Sequence, residues 1–296
     1  VKRAVDKVAA TKEYDFIITR NITFAFLASF VKRNVIIDIH HPPTNYFSKL
    51  AIVRFLRSKN ISKIVCNSDG TKKNLERISS PSDKMQVLNN GVNLKDFLPN
   101  QDADTLKDRL HIPNSSRVVS YIGNTYEGRG IEKIINLSKD HRDIYFLIIG
   151  GEKKDNERYM RLIDKQQKNI IFTNHVSHSD VPNYLLISDI LLIPYQKKFT
   201  IKGNKIATDY SSPIKLFEYL SAGKPIIASN LPLFSNILNH GHDSLLVDSD
   251  SYEELNKSLI MLLEDYELRL RLSENSRKLS EHFTWQKRAS GMLANL

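Results

Sequence analysis

Cysteine is nearly absent from the chain, with Cys66 the only one in 296 residues. A lone thiol excludes an internal disulfide and a multi-cysteine metal centre, and it fits a reducing compartment. The longest apolar stretch, residues 22–30, is too short to cross a bilayer. Repeats and low-complexity tracts are missing. So is any convincing carboxylate cluster for a metal, and no required metal or other cofactor is expected. Acid is the scarcer charge: 33 Asp+Glu stand against 43 Lys+Arg, for a net +10. A basic chain invites nucleic acid as a partner, yet no nucleic-acid module or aromatic-basic motif is present, so none is expected. No secretory leader is legible. The chain opens without methionine on Val1-Lys2-Arg3-Ala4-Val5, which reads as mid-helix, so the expectation is that the first domain begins before this point.

What is present is enough chain for two ordinary domains. Hydrophobic residues at 41% and charged residues at 26% describe a globular protein. The positive charge is uneven, with 17 Lys+Arg and 10 Asp+Glu in residues 1–104 against 26 and 23 in the remainder. A basic first domain suits an anionic membrane surface or a phosphate-bearing acceptor.

Residues 1–98 alternate helix and strand patterns. Strands are expected at 15–19, 34–40, 61–66 and 85–88, with helices over 22–32, 47–57 and 69–78. Continuous apolar strands separated by helices imply a parallel sheet covered on both faces. His40 ends one strand and is followed by His41-Pro42-Pro43. Ligands of open parallel sheets collect at the carboxyl ends of strands, and Asp38 shares a strand face with His40 and can orient it. Taken alone, both histidines read better as loop residues without a duty. The polar run 99–104 reads as a linker.

The second half repeats the alternation. Strand Val118–Ile122 meets the loop Gly123-Asn124-Thr125-Tyr126-Glu127-Gly128-Arg129-Gly130, and a helix starts near Ile131. Glycines between strand and helix let backbone N–H groups approach phosphate oxygens, although the spacing is not the dinucleotide fingerprint. Further strands are expected at 144–149, 169–172 and 189–195, with a helix at 181–186. From Ser251 the chain reads as helical. Trp285 reads as a packing anchor of the last helix.

The most informative stretch is Asp209-Tyr210-Ser211-Ser212-Pro213-Ile214-Lys215-Leu216-Phe217-Glu218-Tyr219-Leu220-Ser221-Ala222-Gly223-Lys224-Pro225-Ile226-Ile227-Ala228-Ser229. It reads as a loop, a helix capped by Ser212 with Pro213 in its first turn, a left-handed stop at Gly223, and a buried strand. Lys215 in the first turn opposes the helix dipole unless an anion lies there. Glu218 follows one turn later on the same face. Together they suit a nucleoside diphosphate, with Lys215 on a phosphate and Glu218 on a ribose. Spacing alone favours the plainer explanation, an exposed ion pair.

This stretch resembles the donor-site signature of retaining GT-B glycosyltransferases of family 4, in the Ser-Pro-x-Lys-x-x-Glu-Tyr form common among bacterial surface-polysaccharide enzymes. The resemblance extends to Asn89-Asn90-Gly91-Val92-Asn93 before the domain crossover, and it covers nearly all of the chain. It implies an α/β GT-B fold: two Rossmann-like, doubly wound domains facing an interdomain cleft, the first of them incomplete. The implied division is residues 1–98 as acceptor side, 99–104 as linker, 105–280 as donor domain and 281–296 as a helix crossing back. The implied activity is retaining transfer of a hexose-type sugar from a nucleotide diphosphate to a glycan or lipid-linked acceptor, in the cytoplasm or on the inner membrane face. Catalytic roles fall to His40, Arg129 and Lys215. The donor would be held by Gly123, Asn124, His175, Val176, Asp209, Ser212, Pro213, Ile214 and Glu218. Asn124 stands where the family usually has a cation, and the sugar-reading acid is Asp209, one residue earlier than the usual glutamate position. Two other readings stay open: a non-catalytic or two-subunit partner that binds sugar nucleotide, and a GT-B-fold sugar-nucleotide epimerase.

Overall fold

Short runs of Val, Ile and Leu bounded by polar turns form the strands, as their β-branched content favours. The computed structural model describes residues 15–30, 34–97, 102–201, 205–206 and 210–294. Two units are distinguished: 1–91 with 209–212 and 285–296, and 92–208 with 213–284.

In the first unit, β1 (Phe16–Thr19), β2 (Asn34–Ile39), β3 (Ile61–Cys66) and β4 (Met85–Val87) form a parallel sheet in that spatial order. Helices α1 (Ile22–Ala28), α2 (Tyr46–Arg57) and α3 (Asp69–Glu76) connect them. Asn21, Asn45 and Ser68 cap these helices, each accepting a first-turn N–H through its side chain, as residues of this type do. Val35, Ile37, Ile39, Ile52, Phe55, Ile61 and Ile64 are buried in one cluster. Cys66 is buried with them, and burial pushes its thiol up to about 12, which removes it as a nucleophile at neutral pH.

The second unit holds six parallel strands: β5 (Val118–Ile122), β6 (Tyr145–Ile149), β7 (Ile170–Asn174), β8 (Ile190–Ile193), and, beyond a hairpin, β11 (Ile226–Ser229) and β12 (Leu245–Val247). The hairpin pairs β9 (Thr200–Ile201) with β10 (Lys205–Ile206) antiparallel. The large sheet runs β12-β11-β8-β5-β6-β7. Around it lie α4 (Asp102–Arg109), α5 (Ile131–Asp140), α6 (Lys153–Met160), α7 (Val181–Ile187), α8 (Ile214–Ala222), α9 (Pro232–Ser235), α10 (Tyr252–Glu264) and α11 (Tyr266–Ser280).

Some expectations need correction. The polar run read as a linker gives residues 102–104 to the start of α4, because nothing between Gln101 and Arg109 breaks a helix. In the last helix, α12 (Trp285–Leu293), which groups with the first unit, Trp285 is not the packing anchor. The helix is anchored by Arg288 and Met292, while Trp285 is 41% exposed. Phe283 takes the aromatic packing instead, 5.0 Å from Phe217.

Candidate functional site

In the second sheet, chain order runs outward from β5 to β7 and then returns, placing β8 on the other side of β5. Two neighbouring strands whose connections leave in opposite directions open a crevice at their carboxyl ends, where such sheets bind ligands. Gly123 follows β5 there, and Tyr195 follows β8. Helix α8 is held beside them through Tyr219, whose buried hydroxyl accepts the Ile122 N–H at 2.6 Å. Leu216, Phe217, Tyr219 and Leu220 of α8 are fully buried. Each contributes on the order of 1.5–3 kcal/mol by leaving water, so the helix start is fixed by the packing behind it.

That start differs from the expectation in one respect. Ser212 does not cap the helix; Pro213 occupies the cap position in an extended conformation and, among the described residues, no side chain bonds to the first turn. Proline locks φ and carries no N–H, so helical geometry begins only at Ile214. Ser212 is used elsewhere, its carbonyl accepting from Asn90 Nδ2 at 2.9 Å. Among the described residues, the first N–H groups of α8 are therefore without a side-chain acceptor. Gly223 closes the helix in the left-handed conformation expected of it, with φ 60°.

Lys215 is turned inward. Its Nζ is buried without a hydrogen-bond partner, 3.9 Å from the centre of the Tyr121 ring and 5.1 Å from that of Tyr195. The path it takes exists because residue 123 is glycine: a Cβ there would stand 2.6 Å from Nζ, and the backbone φ is 133°, which favours glycine. Burial pushes the ammonium down to about 8; Arg129 acts in the same sense, while Tyr195 and Glu218 oppose it.

Arg129 faces the same tyrosine. Its guanidinium lies 4.4 Å from the Tyr195 ring centre and 4.6 Å from that of Phe199. Nη2 donates to the Thr200 carbonyl at 3.0 Å, and Nε is buried without a partner. The hairpin thus holds one edge of Arg129. The Tyr195 hydroxyl is buried as well and makes no hydrogen bond of ordinary length, although Lys215 and Tyr121 face it closely enough to act on its phenol. Burial alone would raise this phenol, but the two cations hold it lowered. Lys215 Nζ, Arg129 Nε and the Tyr195 hydroxyl are thus three neighbouring buried donors without a hydrogen-bond partner, a grouping chemically suited to an anion, because each unmet group costs about 1–3 kcal/mol until something accepts from it.

Glu218 points to a different neighbour. His178 Nε2 lies 3.0 Å from its Oε1. Burial raises the Glu218 carboxyl, and His178 and Lys215 pull it back. His178 belongs to the loop after β7 that carries His175, exposed, and Val176, half-buried. The loop leaves the strand through Asn174, at φ 57°, whose side-chain carbonyl accepts from Asn156 at 3.0 Å. Asn124 is exposed, and its carbonyl accepts the Tyr121 hydroxyl at 2.6 Å. Ile214 is 44% exposed at the helix start. Asp209 lies outside the described residues.

In the first unit, His40 is fixed as its strand position suggested. Its Nε2 sits 3.0 Å from Asp38 Oδ2. Arg288 Nη2 donates to Asp38 Oδ1 at 2.9 Å, and Arg20 Nε to Oδ2 at 3.3 Å. Burial of Asp38 would raise its carboxyl, but His40 and Arg288 outweigh that and bring it to about 2. Among the described residues no group of His, Cys, Asp and Glu could hold a metal.

The family model described as glycosyl transferases group 1 matches residues 102–279. The chain belongs to this family. Among curated relatives, the putative teichuronic acid biosynthesis glycosyltransferase TuaH of Bacillus subtilis (strain 168) is 27% identical over 180 residues, covering 59% of this chain and 42% of the relative. The uncharacterized glycosyltransferase MJ1178 of Methanocaldococcus jannaschii is 23% identical over 247 residues, covering 83% and 61%. The match thus spans roughly half of the relatives' length. Among solved structures, Anabaena Alr3699/HepE in complex with UDP gives a TM-score of 0.77 at 17% identity, covering 99% of this chain and 82% of that one. A glycosyltransferase from Rickettsia africae ESF-5 gives 0.81 at 19%, covering 100% and 81%. The fold is that of GT-B glycosyltransferases.

Within this group 1 member, sequence reasoning missed Tyr121, Tyr195, His178, Arg20 and Arg288. The two tyrosines were accessible, since they sit at or just beyond the carboxyl ends of strands meeting at the crevice. His178 lies 40 positions from its carboxylate and Arg288 lies 250 from Asp38; no local pattern announces either pair.

Proposed function

We propose that this group 1 chain is a retaining glycosyltransferase of family 4 type, moving a sugar from a nucleoside diphosphate to a glycan or lipid-linked acceptor in surface-polysaccharide synthesis. The observation that carries the reading is the buried, unpartnered ammonium of Lys215 at the uncapped start of α8, beside the orphaned Nε of Arg129. A protein does not keep two such cations near one ring for stability, because desolvated charge without a counter-ion is unfavourable. An anion with several oxygens satisfies both cations and the helix N–H groups together.

In the proposed reaction the diphosphate departs as positive charge develops on the sugar. Lys215, Arg129 and the helix dipole stabilise the leaving group, which requires no metal. Glu218 accepts from ribose hydroxyls, the Val176 loop meets the base, and Asp209 is assigned the sugar. For His40 we retain the role implied by the family resemblance, assistance near the transferred sugar, with Asp38 fixing its ring. Residues 105–280 are assigned the donor and 1–98 the acceptor. Alr3699/HepE has been solved with UDP and with UDP-glucose, which supports a uridine donor. The alpha-galactosylglucosyldiacylglycerol synthase of Streptococcus pneumoniae, 22% identical over 212 residues, supports a lipid-borne acceptor, and we place the chain in the cytoplasm or on the inner face of its membrane. A thermal-shift screen against UDP-, GDP- and ADP-sugars tests the donor assignment. A rise with one base is expected, and no rise with any of them refutes it.

A further inference from the structure

The contacts that orient Arg129 come from outside its own loop. Nη2 donates to the Thr200 carbonyl at 3.0 Å, and the guanidinium sits in a notch between the Tyr195 and Phe199 rings. Those rings are 4.9 Å apart and tilted by 56°. Tyr195 is tied to the sheet, since Ser229 Oγ donates to its carbonyl at 2.6 Å and the Phe234 ring meets its own edge-on at 5.4 Å. Phe199 comes from the segment between β8 and β9 and is fully buried.

That segment is joined to the glycine loop through its backbone. The Gln196 N–H donates to the Gly128 carbonyl at 2.9 Å, and the Thr200 N–H to the Glu127 carbonyl at 3.0 Å. A Cβ at residue 128 would collide with the Lys198 carbonyl oxygen and stand 2.6 Å from the Phe199 Cα. What this glycine allows is the approach of a second backbone. Phe199 is therefore set against Arg129 by main-chain bonds on either side of the arginine's own position.

Stability does not explain the notch. A guanidinium against a ring contributes at most about 2 kcal/mol, while the buried, unpartnered Nε costs about 1–3 kcal/mol and desolvating the charge costs more. What the notch supplies is direction. Arginine carries about 2 kcal/mol of rotamer entropy, and a side chain held in one orientation beforehand need not be ordered when a ligand arrives.

We propose that Phe199 is a positioning residue, its ring and the neighbouring Thr200 carbonyl holding Arg129 pre-set toward the diphosphate of the donor. The inference rests on the diphosphate reading proposed above and adds the source of the cation's aim. In this role Phe199 acts only through Arg129. It matters for a ligand that carries phosphates and is silent for the nucleoside alone.

Calorimetry of the full chain with UDP and with uridine tests this, through Phe199→Leu, Arg129→Met and the double variant. Leucine occupies the site without presenting a ring face, and Phe199→Met serves as the second variant should the leucine form fail to fold. The parent should prefer UDP to uridine. Phe199→Leu should lower UDP affinity by about tenfold and leave uridine affinity unchanged. In the Arg129→Met background the same substitution should change neither. Equal losses for UDP and uridine overturn the proposal, because a ring that only supports the fold would weaken both. So does a loss that persists in full without Arg129. A Phe199→Leu chain that keeps the parent's preference for UDP overturns this proposal and leaves the diphosphate reading standing; a parent that binds UDP no better than uridine removes both.

Discussion

Replacing Lys215 by methionine should make the protein more stable and unable to bind its donor. The side chain keeps its length and loses its charge. In the empty protein the ammonium is held at about 8 rather than its ordinary 10.5, which corresponds to roughly 3 kcal/mol against the folded state at neutral pH. The ring contact with Tyr121 returns about 1 kcal/mol of that. The variant should therefore gain about 2 kcal/mol, or roughly 4–8 °C in melting temperature for a domain of this size. The pH dependence has a definite sign. Below pH 8 both folded and unfolded chains hold the proton and the penalty is constant. Between 8 and 10.5 the unfolded chain keeps a proton the folded one has released, so the parent gains stability with rising pH and the advantage of the variant fades. Thermal melts across this range, with and without UDP, check both halves. A variant that melts below the parent when empty refutes the reasoning, and so does one that UDP still stabilises to the parent's extent.

The other perturbations concern the two remaining ionic centres. Asp38→Asn leaves the buried Arg288 without its counter-charge and should cost about 3–5 kcal/mol by urea unfolding. Because Asp38 is held at about 2, its contribution is complete above the ordinary carboxylate range and should disappear as pH falls toward 2 in the parent alone. His178→Ala should weaken UDP binding by roughly fivefold, the value of one solvent-exposed hydrogen bond of about 1 kcal/mol. Without the histidine, burial lifts the Glu218 carboxyl further, so the loss should grow as pH falls. Titration calorimetry over a pH series shows whether it does.

How much the sequence disclosed depended on how local the cause was. The strands were legible because their apolar runs are continuous, and α8 was legible because Gly223 and Pro225 end it and the Lys215–Glu218 spacing marks one face. Helix α6 was missed because only Asn156 and Tyr159 of it are buried, too few for an apolar stripe. The β9–β10 hairpin was missed because two-residue strands carry no periodicity. Ser212 and Trp285 misled for a shared reason: each has the right residue type for its expected duty, but a neighbour, Pro213 in one case and Phe283 in the other, fixes the geometry first. That Lys215 is buried against two tyrosines could not be read from spacing, since Tyr121 comes from β5 and Tyr195 from the segment after β8.

The account depends on the Lys215 ammonium meeting a phosphate directly. Calorimetry of UDP binding near pH 8, in two buffers of different ionisation enthalpy, tests this contact. An anion arriving at a partly deprotonated lysine raises its proton affinity, so the parent should take up a fraction of a proton on binding and Lys215→Met should bind weakly with none. Heats that are the same in both buffers, together with undiminished affinity in the methionine variant, would contradict the account.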